Sequence, residues 1–331
     1  MPNVSAIVLT YNRVELLQQC LEGIESQDRA VDFIIVIDNG STDDTAEFLK
    51  KYSSEKLFIA TIPQNCGAAG GFHHALKAGQ QSGASFLWLM DDDVVPAPAA
   101  LGELLAAQAA LDAQGIDAPY LLSVAHSPDG SMTNVPDLDK RTSVRGYPQW
   151  PALLEQGLVP IRRGTFVSAL FPRRTLETFG LPLAEMYMWG EDTEYTMRVT
   201  RQHAGWLVGR SHVDHLRAQP GSLDITTETD PRRIALHRVH VRNLIYTSRL
   251  FMGRRRKAHA VLRTVKQCLR LLRRGHLRHA SVIATGLVDG LIFRPAGTRD
   301  EAPVAFTRPA GFGSPAAFHP AAGKGELECA Y

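Results

Sequence analysis

The chain has 331 residues, 44% of them hydrophobic and 21% charged, with a formal net charge of +2. That composition excludes a fibrous or largely disordered protein and allows a full core in one large domain or two smaller ones. The net charge hides a split: residues 231–288 carry 15 Lys and Arg and no acid, so the other 21 basic residues face all 34 acids and that remainder sums to −13. An acidic body joined to a basic surface suits an anionic partner.

No apolar run reaches the roughly 18–20 residues that cross a bilayer. Met1 to Val4 leads directly into a strand-like run with no basic and apolar leader. Cys20, Cys66, Cys268 and Cys329 are scattered, without paired or finger spacing. A cytoplasmic protein with reduced thiols is expected.

Ser5–Thr10 reads as a buried parallel strand, and Val14–Ser26 follows with the helical spacing Val14, Leu17, Leu21, Ile24. Phe33–Asp38 is a second apolar strand. The turn Asn39–Asp44 comes next, where Ser41, Thr42 or Asp43 can cap a helix over Thr45–Tyr52. Leu57–Thr61 is a third strand, Gly70–Gly83 a third helix and Phe86–Met90 a fourth strand. Strands alternating with helices predict a mostly parallel sheet covered on both faces, whose ligands gather beyond the strand carboxyl ends. Residues 96–115 read as a helix. Further strands are expected over Leu121–Ala125, Gly164–Phe171 and Gly205–Val208, and helices over Thr175–Phe179 and Glu191–His203. A basic helical segment follows, and after Pro295 an Ala/Gly/Pro-rich tail is expected to be mobile.

Four constellations carry chemistry. Asp91-Asp92-Asp93 ends an apolar strand, where three adjacent carboxylates call for a counter-charge such as a hard divalent cation. On an extended backbone Asp91 and Asp93 project the same way and can share that cation, with Asp92 turned toward a sugar or ribose hydroxyl. A solvated acidic turn is the plain alternative. Trp189-Gly190-Glu191-Asp192 opens a helix, where acids also suit the dipole. Asp192 is the candidate general base for an acceptor hydroxyl, with Glu191 bonding the acceptor and Trp189 stacking on a sugar. His215 can complete a metal site, with His212 competing for that role. In Asn65-Cys66-Gly67-Ala68-Ala69-Gly70-Gly71-Phe72 the glycines Gly67, Gly70 and Gly71 allow close approach of a pyrophosphate to a helix N-terminus. Tight helix–sheet packing explains them equally well.

Together the segments IVLTYNR, IDNGSTDDT, QNCGAAGGF, MDDDVVP and WGEDTEY, followed by His215, resemble the inverting glycosyltransferase family 2 with its GT-A fold, over residues 4–216. The resemblance implies an α/β, Rossmann-like catalytic domain over 1–230, with a nucleotide-sugar half (1–95) and an acceptor half (96–230). A basic, membrane-proximal helical region (231–294) and a tail (295–331) then follow. It implies that Thr10, Tyr11 and Arg13 border the nucleotide and that Asp38 bonds its base. It also implies that Asp91, Asp93 and His215 bind Mn²⁺ or Mg²⁺, that Asp92 contacts the donor, and that Asp192 is the base of an inverting displacement. The glycine loop, with Asn65, is similar to that of bacterial galactofuranosyl- and rhamnosyltransferases, with Ala68 in place of a glycine. UDP-galactofuranose is the expected donor and dTDP-rhamnose the alternative, with a lipid-linked glycan or polysaccharide as acceptor.

In the basic segment, Val261, Leu262, Val265, Cys268, Leu269 and Leu272 form a stripe opposite Arg263, Lys266, Arg270, Arg273 and Arg274. Such a helix can lie on an anionic membrane, making the enzyme peripheral on the inner face, or pack its stripe on the catalytic body. A nucleic-acid-binding protein using this helix is the rival from another class. The acidic remainder and the lack of a recognition module count against it, as Asp192 counts against a nucleotidyltransferase.

Overall fold

The computed structural model describes residues 2–216, 224–297 and 303–311. Its first half follows the apolar runs closely. β1 (Val4–Thr10), β2 (Phe33–Asp38), β3 (Leu57–Thr61) and β4 (Phe86–Asp91) alternate with α1 (Val14–Glu25), α2 (Thr45–Lys51) and α3 (Gly67–Gln81). β1 shows why these strands are buried on both sides. Val4, Ala6 and Val8 pack with Leu17 and Leu21 of α1, while Ile7 and Leu9 pack with Phe72 and Leu76 of α3. The side-chain period of two sends successive residues into opposite layers.

The chain continues through β5 (Val94–Pro96), α4 (Ala100–Ala113), β6 (Leu121–His126), β7 (Met132–Thr133), β8 (Asp137–Leu138), β9 (Leu158–Arg163), β10 (Ala169–Pro172) and α5 (Arg173–Phe179). It then runs through α6 (Glu191–Val199), β11 (Gly205–His215), α7 (Pro231–Phe251), α8 (Arg254–Arg273) and α9 (Leu277–Ile292). The strand order is β3-β2-β1-β4-β10-β6-β11-β9-β8, with β5 on β11 and β7 on β6.

The sheet is mixed rather than mostly parallel. β3, β2, β1 and β4 are parallel neighbours, as are β6 and β11, but β10 inserts antiparallel between β4 and β6. The strand expected over Gly164–Phe171 shrinks to β10, and β9, unexpected from the sequence, precedes it. A reason lies at Ser168, which adopts φ +54°. Its hydroxyl accepts from Trp88 Nε1 at 2.9 Å and bonds Ser123, at the centre of a buried polar relay. β11 does not stop at Val208. It crosses a bulge before His212 and runs on to His215. α6 ends at Val199 instead of reaching His203, and α3 begins at Gly67 instead of Gly70.

α7, α8 and α9 enclose a separate core of Ile225, Ile234, Val241, Ile245, Leu271, Ala280 and Ile283. Gly286 and Gly290 let α9 touch α7, since a Cβ on either would lie 2.5–2.6 Å from α7 atoms. Of the stripe expected on α8, Val261 and Cys268 pack against this core. Leu262, Val265, Leu269 and Leu272 are 36–50% exposed, while the buried positions are Thr264 and Leu271. The expected stripe therefore divides between two faces.

Part of the tail is ordered against the sheet, contrary to expectation. Ile59 and Thr307 exchange backbone bonds at 2.9 and 2.7 Å and Val304 is buried, so residues 303–311 cover the edge of β3. Covering an edge protects its unpaired amides and carbonyls from other chains. The rest of the segment after residue 297, including Cys329, lies outside the described residues. No described helix is long and apolar enough to cross a membrane.

Candidate active site

The carboxyl ends of β1, β2 and β4 meet in a cross-bonded set of loops. Asn12, at φ +53°, accepts from Thr42 N at 2.7 Å, and its own amide donates to Ser41 Oγ at 3.0 Å. Asp38, buried at the end of β2, accepts from Ser41 N at 2.9 Å. Asp43 accepts from Thr45 N at 3.1 Å just before α2, but the N-cap residue is Asp44 and makes no side-chain cap bond, so the helix is not capped by Ser41, Thr42 or Asp43 as expected. Asn39 was missed by the sequence reading. Its Oδ1 accepts from Cys66 N and its Nδ2 donates to Gly67 O, both at 3.0 Å, fastening β2 to the glycine loop.

That loop serves packing more than anion binding. A Cβ on Gly71 would lie 2.5 Å from Leu9, and one on Gly70 would lie 2.6 Å from Cys66 Sγ. The amides of Cys66, Gly67 and Ala69 already donate to Asn39, Asn65 and Tyr187 O, so the N-terminus of α3 is not an open anion cradle. Gly67 sits at φ +74°, and a Cβ there would lie 2.1 Å from Tyr187 O. Its need for glycine arises from the loop before α6, not from a phosphate.

The aspartate run turns at its second residue. Asp91 ends β4, Asp92 and Asp93 form a turn, and β5 pairs back on β11, with Val94 opposite His215. The extended alternation that would align Asp91 with Asp93 is thus broken. Asp92 folds back, accepting from Thr10 Oγ1 at 2.8 Å, Tyr11 N at 3.3 Å and Arg13 Nη1 at 3.1 Å. Arg13 also reaches Asp93 Oδ2 at 3.1 Å. Although burial opposes its charge, Asp92 and Asp93 raise the Arg13 pKa. Burial pushes Asp92 up to about 6 against the pull of Arg13, and pushes Asp91 well above the usual carboxylate range, aided by Asp93 and Asp92.

His215 closes the group from β11. Along that strand Ser211, Val213 and His215 are buried, whereas His212 is exposed and stacks on His126 at 5.4 Å. His215, not His212, faces the site. Its Nδ1 lies 2.9 Å from Asn134 Oδ1, so a neutral ring carries a bare Nε2. Nε2 is 3.2 Å from Asp93 Oδ1, yet that oxygen has no bond of hydrogen-bonding geometry. Burial opposes the Asp93 charge, but His215 and Arg13 outweigh it and hold the carboxyl below its usual range. A carboxylate oxygen and an imidazole nitrogen facing each other are donor types that a divalent cation takes. Even so, no three acid, imidazole or thiol groups among the described residues are already gathered to hold a metal ion.

Asp91 and His215 line one 190 Å³ cavity with Glu191 and Asp192 of α6. Capping does not account for these acids. The N-cap is Gly190 at φ +119°, with no side-chain cap bond. Glu191 Oε2 is buried with no hydrogen-bond partner among the described residues, and Asp192 Oδ1 accepts from the adjacent Thr193 N at 2.5 Å. Desolvation, then the charge of Asp192, pushes Glu191 up to about 8. Desolvation likewise raises Asp192. Carboxyls kept partly neutral in a cleft are a functional signal.

The approach to these acids is held by α7, which the sequence reading treated only as a basic surface. Tyr187 and Trp189 both have positive φ, at +62° and +61°. Buried Asn243 donates to the carbonyls of Met186, Met188 and Trp189 at 2.8, 3.0 and 3.1 Å. Arg242 bonds the Glu185 and Met186 carbonyls, both at 2.9 Å. The Trp189 ring packs on His237 and His240 of α7, at 5.4 and 6.0 Å, and does not line the acidic cavity.

Residues 5–129 match the family model described as Glycosyl transferase family 2. The chain is 27% identical over 214 residues to galactofuranosyltransferase GlfT1 of Mycolicibacterium smegmatis, covering 60% of this chain and 65% of the relative. It is 26% identical over 201 residues to the GlfT1 of Mycobacterium tuberculosis, with the same coverage. The aligned part thus spans about 65% of the length of these curated relatives. Among solved structures it is similar to S. aureus TarS 1–349, with a TM-score of 0.52, 15% identity and coverage of 86% of this chain and 90% of that one. It is also similar to GalNAc-T7, whose crystal structure contains UDP, GalNAc and Mn²⁺, with a TM-score of 0.51, 16% identity and coverage of 72% and 48%. Residues 5–129 therefore resemble a glycosyltransferase family 2 domain, and the chain has the GT-A fold.

Proposed function

We propose that this protein is a metal-dependent, inverting glycosyltransferase that moves galactofuranose from UDP-galactofuranose to a hydroxyl of a lipid-linked or polysaccharide acceptor. The observation that carries the reading is the shared cavity of Asp91, His215, Glu191 and Asp192, where the family-matched segment meets α6. The donor follows from the galactofuranosyltransferase relatives. In this reading residues 1–95 hold the nucleotide sugar and residues 96–230 the acceptor.

Thr10, Tyr11, Arg13 and Asp38 border the nucleotide, and Asp92 positions Arg13 beside it. Asp91, Asp93 and His215 would hold Mn²⁺ or Mg²⁺, which supplies neutralisation of the departing diphosphate's charge. Asp192 takes the proton from the acceptor hydroxyl. The oxygen's electron pair forms the new bond to the anomeric carbon, the bond to the diphosphate breaks, and the configuration inverts. Glu191, kept largely protonated by its burial, donates a hydrogen bond to the acceptor. In this reading the exposed leucines of α8, beside Arg263, Lys266 and Arg270, support contact with an anionic membrane surface.

UDP release from UDP-galactofuranose, followed with added Mn²⁺, Mg²⁺ or EDTA, tests the reading. Release should require the cation. Undiminished release in EDTA rejects the metal-dependent mechanism, and faster release from dTDP-rhamnose reassigns the donor.

A further inference from the structure

α6 separates two cavities. It presents Asp192 to the acidic cavity and, with the residues just after it, Thr193, Met197, Thr200 and Arg201 to a second, larger one of 820 Å³. β8, the end of β9 and the last turns of α7 complete the larger wall. Its volume lies in the range of about 300–1,000 Å³ usual for small-molecule sites.

The lining has two characters. Asp137 and Asp139 are already neutralised, by Arg163 at 2.9 Å and Arg141 at 2.6 Å. Lys140, Arg162, Arg201 and Arg256 also line it, and among the described residues none of the four has a carboxylate partner. Arg162 instead points at Phe251 O at 3.4 Å, and Arg201 lies over the Phe251 ring at 5.1 Å. Four uncompensated cations around one concavity form an anion site. Leu244, Phe251 and Met252 supply an apolar wall beside them. A ligand matched to both is a phosphate or diphosphate ester of a hydrocarbon chain.

The position of the cavity gives its direction. Its lining includes Thr193, next to Asp192 in the chain, and also Met252 and Arg256, where α7 passes into α8. We propose that this cavity binds the phosphate-linked lipid portion of the acceptor. The anionic group sits among Lys140, Arg162, Arg201 and Arg256, and the chain leaves along Phe251 and Met252 toward the apolar face of α8. The assignment rests on the glycosyl-transfer reading for its acceptor and adds the site that recognises it.

The test measures binding of farnesyl diphosphate, farnesol and inorganic pyrophosphate to the full chain by calorimetry. Farnesyl diphosphate should bind about tenfold or more tighter than either fragment, since charged contacts and apolar burial each contribute. Arg162→Ala/Arg201→Ala should weaken it about tenfold or more, while Lys50→Ala/Lys51→Ala, an equal charge loss on α2, should leave it unchanged. Should the double variant fail to fold, Lys140→Ala carries the same test from an exposed side chain. Unaltered affinity in the cavity variants overturns the proposal, as does a loss produced only by Arg263→Ala/Lys266→Ala on α8. Pyrophosphate binding as tightly as farnesyl diphosphate also overturns it. UDP release by the wild-type protein separates the two readings. If no donor is cleaved yet farnesyl diphosphate binding depends on Arg162 and Arg201, the transferase reading fails and the anion site stands. If the donor is cleaved and binding ignores those arginines, only the cavity assignment fails.

Discussion

The two halves of the acidic site are built in opposite ways. Asp38 and Asp91 arrive at the ends of β2 and β4, strands whose apolar runs, parallel pairing and burial follow from neighbouring residues. Glu191 and Asp192 arrive at the end of a loop with two non-glycine residues at positive φ, held by Asn243 some fifty residues later. Strained backbone persists where surrounding structure over-determines it. The side carrying Asp38 and Asp91 is therefore set by local sequence, and the acid pair depends on the C-terminal helices. Those helices are part of the site's construction as well as a candidate membrane surface.

The largest expected effect separates the acid pair's chemistry from its placement. Asp192→Asn should lower transfer by about a thousandfold, within the span of general-base contributions, while leaving UDP affinity nearly intact. Single-turnover transfer and UDP titration would measure this, and near-normal turnover would remove Asp192 as the base. Asn243→Ala comes next. Leaving the Met186, Met188 and Trp189 carbonyls without their donor should cost about 2–3 kcal/mol in urea unfolding, and should lower kcat more than UDP affinity. A variant with unchanged kcat would show that α7 does not position the acid pair.

The same contrast explains how much was legible in the sequence. The first four strands, their helices and the mutual approach of Thr10, Asp38 and Asp91 follow from apolar periodicity and strand-end polarity. β9 did not, and β10 was legible only as part of the longer strand expected over Gly164–Phe171, because residues 158–172 alternate weakly and Ser168, with its hydroxyl partners, interrupts them. The choice of His215 over His212 required the bulge in β11, which resets which residues face inward. Gly70 and Gly71 show the converse error. A loop that reads as a phosphate cradle is filled by Leu9 and Cys66 of its own chain. Asn39 and Asn243 carried no sequence signal, since an isolated asparagine gains meaning only from the carbonyls brought to it.

A smaller effect tests the seam between α7 and the acid loop through pH. Burial, then the nearby His237, lowers His240 from its ordinary 6.5 to about 4. A depressed histidine contributes stability that is present above its unfolded pKa. That contribution is lost as pH falls through the folded value, because only the unfolded chain gains the proton between them. The wild-type protein should therefore lose on the order of 1 kcal/mol between about pH 6.5 and 4 through this residue. His240→Gln should flatten that part of the profile, measured by urea unfolding at several pH values. Identical slopes would place the His240 ring in water instead of against Trp189.

The smallest effect on stability belongs to the outer face of α8. Leu262 and Leu269 are 50% and 49% exposed, so Leu262→Ser/Leu269→Ser removes little buried area. Unfolding free energy should change by no more than about 0.5 kcal/mol. Partition onto anionic vesicles should nevertheless fall several-fold, because apolar insertion and the flanking arginines act together at a lipid surface. Raising the salt should weaken what remains, since screening reaches the exposed cations and leaves the α7–α9 core untouched. A clear loss of stability with unchanged partition would reverse the assignment, making this face a packing surface and leaving the arginines without a lipid partner.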